Sequence, residues 1–245
     1  LLDNLYTVIE ISEGSITPQQ LIFKEIDGVS TLFIVKTDGS AIDIYQFQND
    51  LAVSPKTYQP FVPRTAEITA AHLNVGKIEE VFMDEFIPNF PVVRSGTVFS
   101  LYNATANFIS GWNILGAFTP RFNQYSFEEG LGALRVYVSY PRVIILSAKT
   151  SQILEYDVSN PSNITLRREY INFGYTFPQN AIYSDFSYGQ NLLYVLCQPN
   201  YTTNYSYIVV YDVERNFKES ALYYDYKLLA AESNIRKAIR VDITS

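Results

Sequence analysis

The side chains that could do chemistry in this sequence are few, and most are carboxylates in short runs. Glu79-Glu80 with Asp84-Glu85, and Glu128-Glu129 ahead of Gly130, could hold a cation or supply the two carboxyls of glycoside hydrolysis. That reaction needs its carboxyls at a set separation, one of them kept protonated by a raised pKa. Neighbours on a strand point to opposite faces, so adjacency alone builds no such pair, and solvated loop charge is the plainer reading. The one histidine, His72, falls in Thr69-Ala70-Ala71-His72-Leu73, read here as part of an innermost strand, where it would pack or line a channel. Ser110-Gly111-Trp112 lacks the pattern around a nucleophile elbow. Asp38 and Asp43 do not have calcium-loop spacing, and no glycine-rich phosphate loop occurs. The expectation is a chain with no catalytic residue, no metal site and no cofactor.

A second group of residues points outward. Four Asn-X-Ser/Thr sequons occur, at Asn103, Asn163, Asn200 and Asn204, whereas proline in the middle position disqualifies Asn160-Pro161-Ser162. Asn163 sits in a turn, and Asn200 and Asn204 sit in a polar loop between strands, positions with room for a glycan. Tyrosines crowd the same region. Tyr201 and Tyr205 flank the loop sequons, and Tyr224 and Tyr226 share one face of a strand by alternation. Packing between sheets accounts for many of these rings. Those left exposed would form a contact surface for proteins or glycans.

These residues must be carried by strands. The chain has 245 residues, 47% of them hydrophobic and 18% charged, with 20 Tyr and 16 Phe against a single Met. That balance is globular and favours β-structure. A net charge of −7 argues against a phosphate backbone as partner, and only Arg167-Arg168 and Arg236-Lys237 form adjacent basic pairs. One cysteine rules out an intrachain disulfide, and Cys197, in the apolar run Leu192–Gln198, reads as a small buried hydrophobe. No apolar run reaches the length of a membrane-spanning helix. The start, Leu1-Leu2-Asp3, has neither the basic residues nor the cleavage site of a signal peptide and reads as a processed end or an internal point of a longer chain.

Turn dipeptides divide the chain into short strands. Asp27-Gly28 and Asp38-Gly39 each close a hairpin. The resulting order of four successive antiparallel strands can be traced four times, over residues 18–61, 67–118, 133–173 and 181–228. Residues 5–12 and 238–244 are left as terminal strands, and 84–95, with Pro88 and Pro91, reads as a loop in the second copy. The third strand of each copy carries a tyrosine: Tyr45, Tyr102, Tyr156 and Tyr211. Their separations by subtraction are 57, 54 and 55 residues. A period this regular marks a repeat protein, and four-stranded antiparallel units repeated radially make a β-propeller. The expected architecture is all-β, a single propeller domain of about four blades or part of a larger ring.

The segment Tyr156-Asp157-Val158-Ser159-Asn160-Pro161, followed by Thr165-Leu166, resembles the LVIVD-type repeat of surface propellers, whose strand ends in a hydrophobic-Asp-Val-Ser-Asn-Pro turn. Tyr211-Asp212-Val213 keeps the first half of that pattern, and Gln46 and Asn103 depart from it after Tyr45 and Tyr102. The resemblance covers one blade well and a second partly, and it implies a fold without assigning a site. The reading that follows is an extracellular, glycosylated propeller acting as a structural or interaction module of a surface or matrix protein. Its partners would be proteins, glycans or copies of itself. A carbohydrate-active enzyme with carboxylates at a channel mouth, and an intracellular scaffold, are the competing classes.

Overall fold

A computed structural model describes residues 9–11, 17–47, 59–108, 111–122, 134–147, 152–170, 182–189, 192–198, 206–212 and 225–228. Within them the chain is all strand and turn, and its sheets are four-stranded blades of the β-propeller class. The first sheet joins β2 (Pro18–Ile26), β3 (Val29–Lys36), β4 (Ala41–Phe47) and β6 (Ala66–Thr69) in that order. The second joins β7 (Glu80–Phe82), β8 (Val92–Ser95), β9 (Val98–Asn103) and β10 (Asn113–Phe118). The third holds β11 (Leu134–Ser139), β12 (Arg142–Ser147), β13 (Gln152–Asp157) and β14 (Thr165–Tyr170). The fourth holds β15 (Ile182–Gly189), β16 (Leu192–Gln198), β17 (Ser206–Asp212) and β18 (Asp225–Leu228). A short parallel pair, β1 (Ile9–Ile11) with β5 (Gln59–Val62), stands apart.

Turn chemistry sets these registers. Asp27 and Gly28 both take positive φ, 51° and 77°, the requirement of the tight hairpin between β2 and β3. Between β3 and β4 the Asp38 carboxylate accepts hydrogen bonds from the Ser40 amide at 2.9 Å and hydroxyl at 2.7 Å, which hold its pKa down. Gly39, at φ 70°, completes that turn, and a Cβ there would fall on the Lys77 side chain and the Ile78 carbonyl.

Two expectations for the first half are corrected. Residues 67–73 are not the inner strand of the second blade. Ala66–Thr69 pairs with β4 as the outermost strand of the first, because Ile68 lies opposite Ile42 and both are buried. Residues 70–74 then turn, with Asn74 at φ 53°, so His72 is exposed in a turn and not on a channel-lining strand. The stretch read as a loop at 84–95 contains β8, whose Val92 and Val93 are fully buried and pair with β7 and β9. Apolar burial overrides the weak local signal of a strand that starts just after Pro91. The third and fourth blades follow the expected order, and the tyrosine of every repeat lies on a third strand: β4, β9, β13 and β17.

The chain divides into two compact units. The first comprises Leu1–Thr119, Val138–Tyr140 and Val158–Ile164. Its core forms between the first two blades from Ile22, Phe33, Ile42 and Ile44 on one side and Val81, Val93 and Tyr102 on the other, closed by Phe108 and Trp112. In the second unit β12 and β13 pair in unbroken register and bury Ile144, Ile145, Ile153 and Leu154.

Candidate interaction surface

Two of the repeated tyrosines make buried hydrogen bonds to backbone outside the sheets. Tyr102, on β9, is fully buried and donates its hydroxyl to the Leu73 carbonyl at 2.5 Å, four residues beyond the last strand of the first blade. Tyr156, on β13, accepts from the Arg121 amide at 3.3 Å, three residues beyond β10. Burial pushes both phenols above their ordinary pKa, so each stays neutral.

Side-chain amides reinforce the first junction. Gln20 on β2 donates to the Val81 carbonyl at 2.7 Å and accepts from the Val81 amide at 2.8 Å, imitating a strand partner for β7. Gln46 donates to the Ala106 carbonyl at 2.5 Å, and the Asp27 carboxylate accepts from Asn89 Nδ2 at 3.1 Å and the Ala106 amide at 3.2 Å. These groups satisfy backbone that the sheets leave unpaired.

The candidate carboxylates are occupied in structural roles. Arg94 pairs with Glu79 and, at 3.6 Å, with Glu80. Asp84 is buried; its Oδ1 accepts from the amides of Phe86 at 2.8 Å and Ile87 at 3.2 Å, and its Oδ2 from Tyr140 at 2.6 Å. Tyr140 in turn stacks on Phe90 at 4.3 Å between ring centres. Glu85 is exposed, and Glu128 and Glu129 lie outside the described residues. His72 Nδ1 accepts from the Thr69 amide at 3.2 Å, a local turn bond. Among the described residues no group of three His, Cys, Asp or Glu side chains could hold a metal, and no helix is long and apolar enough to cross a membrane.

Two carboxylates lie buried on third strands, Asp43, weighed above only as a calcium ligand, and Glu155. Asp43 sits between Lys36 at 3.4 Å and Arg64 at 3.1 Å, with Glu67 completing the group through Lys36 at 2.6 Å. Glu155 sits between Arg142 at 3.7 Å and Arg167 at 3.5 Å. An acidic residue inside an apolar strand two or fewer positions before the repeat tyrosine was the available signal.

Of the outward-facing residues, Asn103 ends β9 opposite Asn113 and is exposed. Asn163 is exposed in the turn between β13 and β14, where its amide donates to the Asn160 carbonyl at 2.9 Å. The same turn packs against β10: a Cβ at Gly116 would fall on the Pro161 carbonyl. Tyr226 lies on β18 opposite Ile208. Asn200, Asn204, Tyr201, Tyr205 and Tyr224 lie outside the described residues.

A different apolar patch is exposed on the first blade. On β2 the face turned away from the second blade carries Leu21, Phe23 and Glu25, with Leu21 59% and Phe23 58% exposed, whereas Gln19, at a register shift, donates to the Glu79 carbonyl of the second blade. Behind them Leu21 lies opposite Ile34, and Phe23 opposite Leu32. Phe23 also contacts Phe47 at 6.3 Å.

No family model matches the chain, and a search among curated proteins returns no match. Solved structures do resemble it. A functionally unknown protein from Desulfotomaculum acetoxidans aligns at TM-score 0.52 and 11% identity, over 88% of this chain and 58% of the other. A protein from Lactobacillus plantarum aligns at TM-score 0.50 and 9% identity, over 88% and 57%. The β-propeller domain of Cps50 (Swd1) from Myceliophteria thermophila aligns at TM-score 0.48 and 9% identity, over 90% and 59%. Likeness at such identity shows fold alone. The chain spans less than three fifths of the length of each.

Proposed function

We propose that this chain is an extracellular, N-glycosylated β-propeller module that contributes structure and contact surface to a surface or matrix protein, binding proteins or glycans without catalysing a reaction. The observation that carries the reading is the turn holding Asn163. It follows the LVIVD-like segment Tyr156–Pro161, it is fixed by Asn160 through bonds to the Ser162 and Asn163 amides, and its sequon asparagine points to solvent. A glycan there would meet no buried surface. The occupied roles of Glu79, Glu80 and Asp84 favour the module over a carbohydrate-active enzyme, since carboxylates held by arginine and backbone amides are not poised to trade protons.

The test is intact mass of the chain expressed through a eukaryotic secretory pathway, before and after removal of N-glycans. The expected result is a loss of one or more glycan masses, with one fewer glycan in Asn163→Gln. An unchanged mass in the parent protein overturns the extracellular reading and favours the intracellular scaffold.

A further inference from the structure

We propose that the loop between β7 and β8, residues 83–91, is a docking element whose tip, Glu85-Phe86-Ile87, seats in a concave apolar pocket of another folded protein, with lysine or arginine at the pocket rim. The inference deepens the interaction-module reading and rests on it for the premise that this chain works by contact.

Length and anchoring set this loop apart. The turn between the first and second strands takes two residues in the first blade, Asp27 and Gly28, and two in the third, Tyr140 and Pro141. In the second blade the same connection takes nine, residues 83–91. Lengthening a turn costs closure entropy, yet this one is ordered along its length. Asn89 Nδ2 donates to Asp27, the Asn89 carbonyl accepts from the Ala104 amide at 2.8 Å, and the Pro91 carbonyl accepts from the Tyr102 amide at 3.0 Å. Phe90 stacks on Tyr140, and Pro88 is buried. The buried Asp84 carboxylate holds the amides of Phe86 and Ile87, while their side chains stand in solvent, Phe86 78% and Ile87 43% exposed. Large apolar groups presented on a fixed backbone lose little freedom when a partner covers them, which is what a binding anchor requires.

Shape and charge name the partner. A phenylalanine so far exposed projects from the surface, so the surface that covers it is concave. Residues 78–93 hold four carboxylates and no lysine or arginine. Arg94 pairs with Glu79 and Glu80, and backbone amides satisfy Asp84. Glu85, beside Phe86, faces solvent, and so does Asp27, which is bonded to Asn89 of the same loop. An apolar knob with carboxylates beside it is matched by an apolar pocket with a cationic rim. A second copy meeting tip to tip would set these carboxylates against their own kind. An anionic membrane would repel them, and insertion of Phe86 would strip water from Glu85.

The experiment puts the photoreactive residue p-benzoylphenylalanine in place of Phe86 in the full chain and irradiates it in an extract of surface and secreted proteins from the source organism. A second chain carries it in place of Ile114, which is also exposed but lies on β10. The expected result is a covalent adduct with one other protein through position 86 and not through position 114. Excess unlabelled parent should suppress that adduct, whereas Phe86→Asp and Glu85→Lys should each compete about tenfold less well. Unchanged Trp112 fluorescence verifies folding of both competitors, and Phe86→Ala replaces Phe86→Asp if the latter unfolds. The proposal is overturned by no adduct at position 86, by the same adducts at both positions, or by a Phe86 variant that competes like the parent. It is equally overturned by an adduct of two copies of this chain, or by binding to mixed phosphatidylcholine and phosphatidylserine vesicles that Phe86→Asp abolishes. A chain that loses glycan mass as expected yet gives no adduct at position 86 would overturn this inference and leave the module reading standing.

Discussion

Tyr102 donates its hydroxyl to the carbonyl of Leu73, and this one bond joins the third strand of the second blade to the turn that ends the first. The carbonyl belongs to a turn outside any sheet ladder, so without the phenol it would be a buried acceptor with no strand to satisfy it. Within the second unit Tyr156 makes a buried bond of the opposite polarity, accepting from the Arg121 amide.

Tyr102→Phe keeps the ring and removes the tie. The cost expected is about 1–2 kcal/mol, the range for leaving a buried backbone acceptor unmatched. Tyr156→Phe should cost less, since its bond is longer at 3.3 Å. Urea unfolding of both variants measures the difference, and equal stability of Tyr102→Phe and the parent would show that the bond is not a tie.

Gln20 gives a sharper chemical test. Its amide offers a donor to the Val81 carbonyl and an acceptor to the Val81 amide at once. Gln20→Glu keeps the shape and the acceptor but turns a second oxygen toward the carbonyl. It should therefore destabilise by about 1–3 kcal/mol near neutral pH, at least as much as Gln20→Ala. At pH low enough to protonate the new carboxyl, the donor returns and the gap should close. Thermal unfolding at two pH values reads this directly.

Much of this architecture was legible because repetition multiplies weak signals. One Asp-Gly turn or one tyrosine proves little, but four tyrosines in the same relation to their turns fix the third strand of every blade. The stretch that misled was 66–95, where Ala66–Thr69 and Val92–Ser95 are only four residues each and lie among prolines and acidic residues. Their assignment depends on which sheet buries Ile68, Val92 and Val93, a tertiary fact with no local marker. The contact surface was harder still. The sequence drew attention to Tyr201, Tyr205, Tyr224 and Tyr226, all but the last outside the described residues, while the exposed apolar pair Leu21 and Phe23 reads in one dimension as ordinary strand.

Gly116 is expected to tolerate no side chain. A methyl group there would fall on the Pro161 carbonyl and crowd the Ile164 side chain, so β10 and the Asn160–Asn163 turn would have to separate. Gly116→Ala should destabilise by about 1–3 kcal/mol, the usual range for overpacking. Gly76→Ala, where a Cβ meets nothing nearby, should be close to neutral. The pair, compared by denaturant midpoint, separates steric cost from the general effect of replacing glycine.

The Lys36–Glu67 contact predicts the pH dependence of the first blade. The hydrogen bond from Lys36 holds the Glu67 carboxyl below its ordinary value near 4.5, and the same bond raises the Lys36 ammonium above its ordinary value near 10.5. Glu67 therefore contributes stability that is present above the ordinary glutamate value and lost as pH falls through its lowered folded value. Lys36 contributes stability that is present below the ordinary lysine value and lost as pH rises through its raised folded value. Both side chains reach solvent, so screening limits the pair to about 1 kcal/mol or less. Glu67→Gln should flatten both limbs of the stability profile, acid and alkaline, because it removes the partner each group needs. Between them it should lower stability by a constant small amount that shrinks in high salt. Unfolding free energy measured across pH for parent and variant checks the sign at each limb, and a variant that lost stability only above neutral pH would show that Lys36 draws its shift from Asp43 instead.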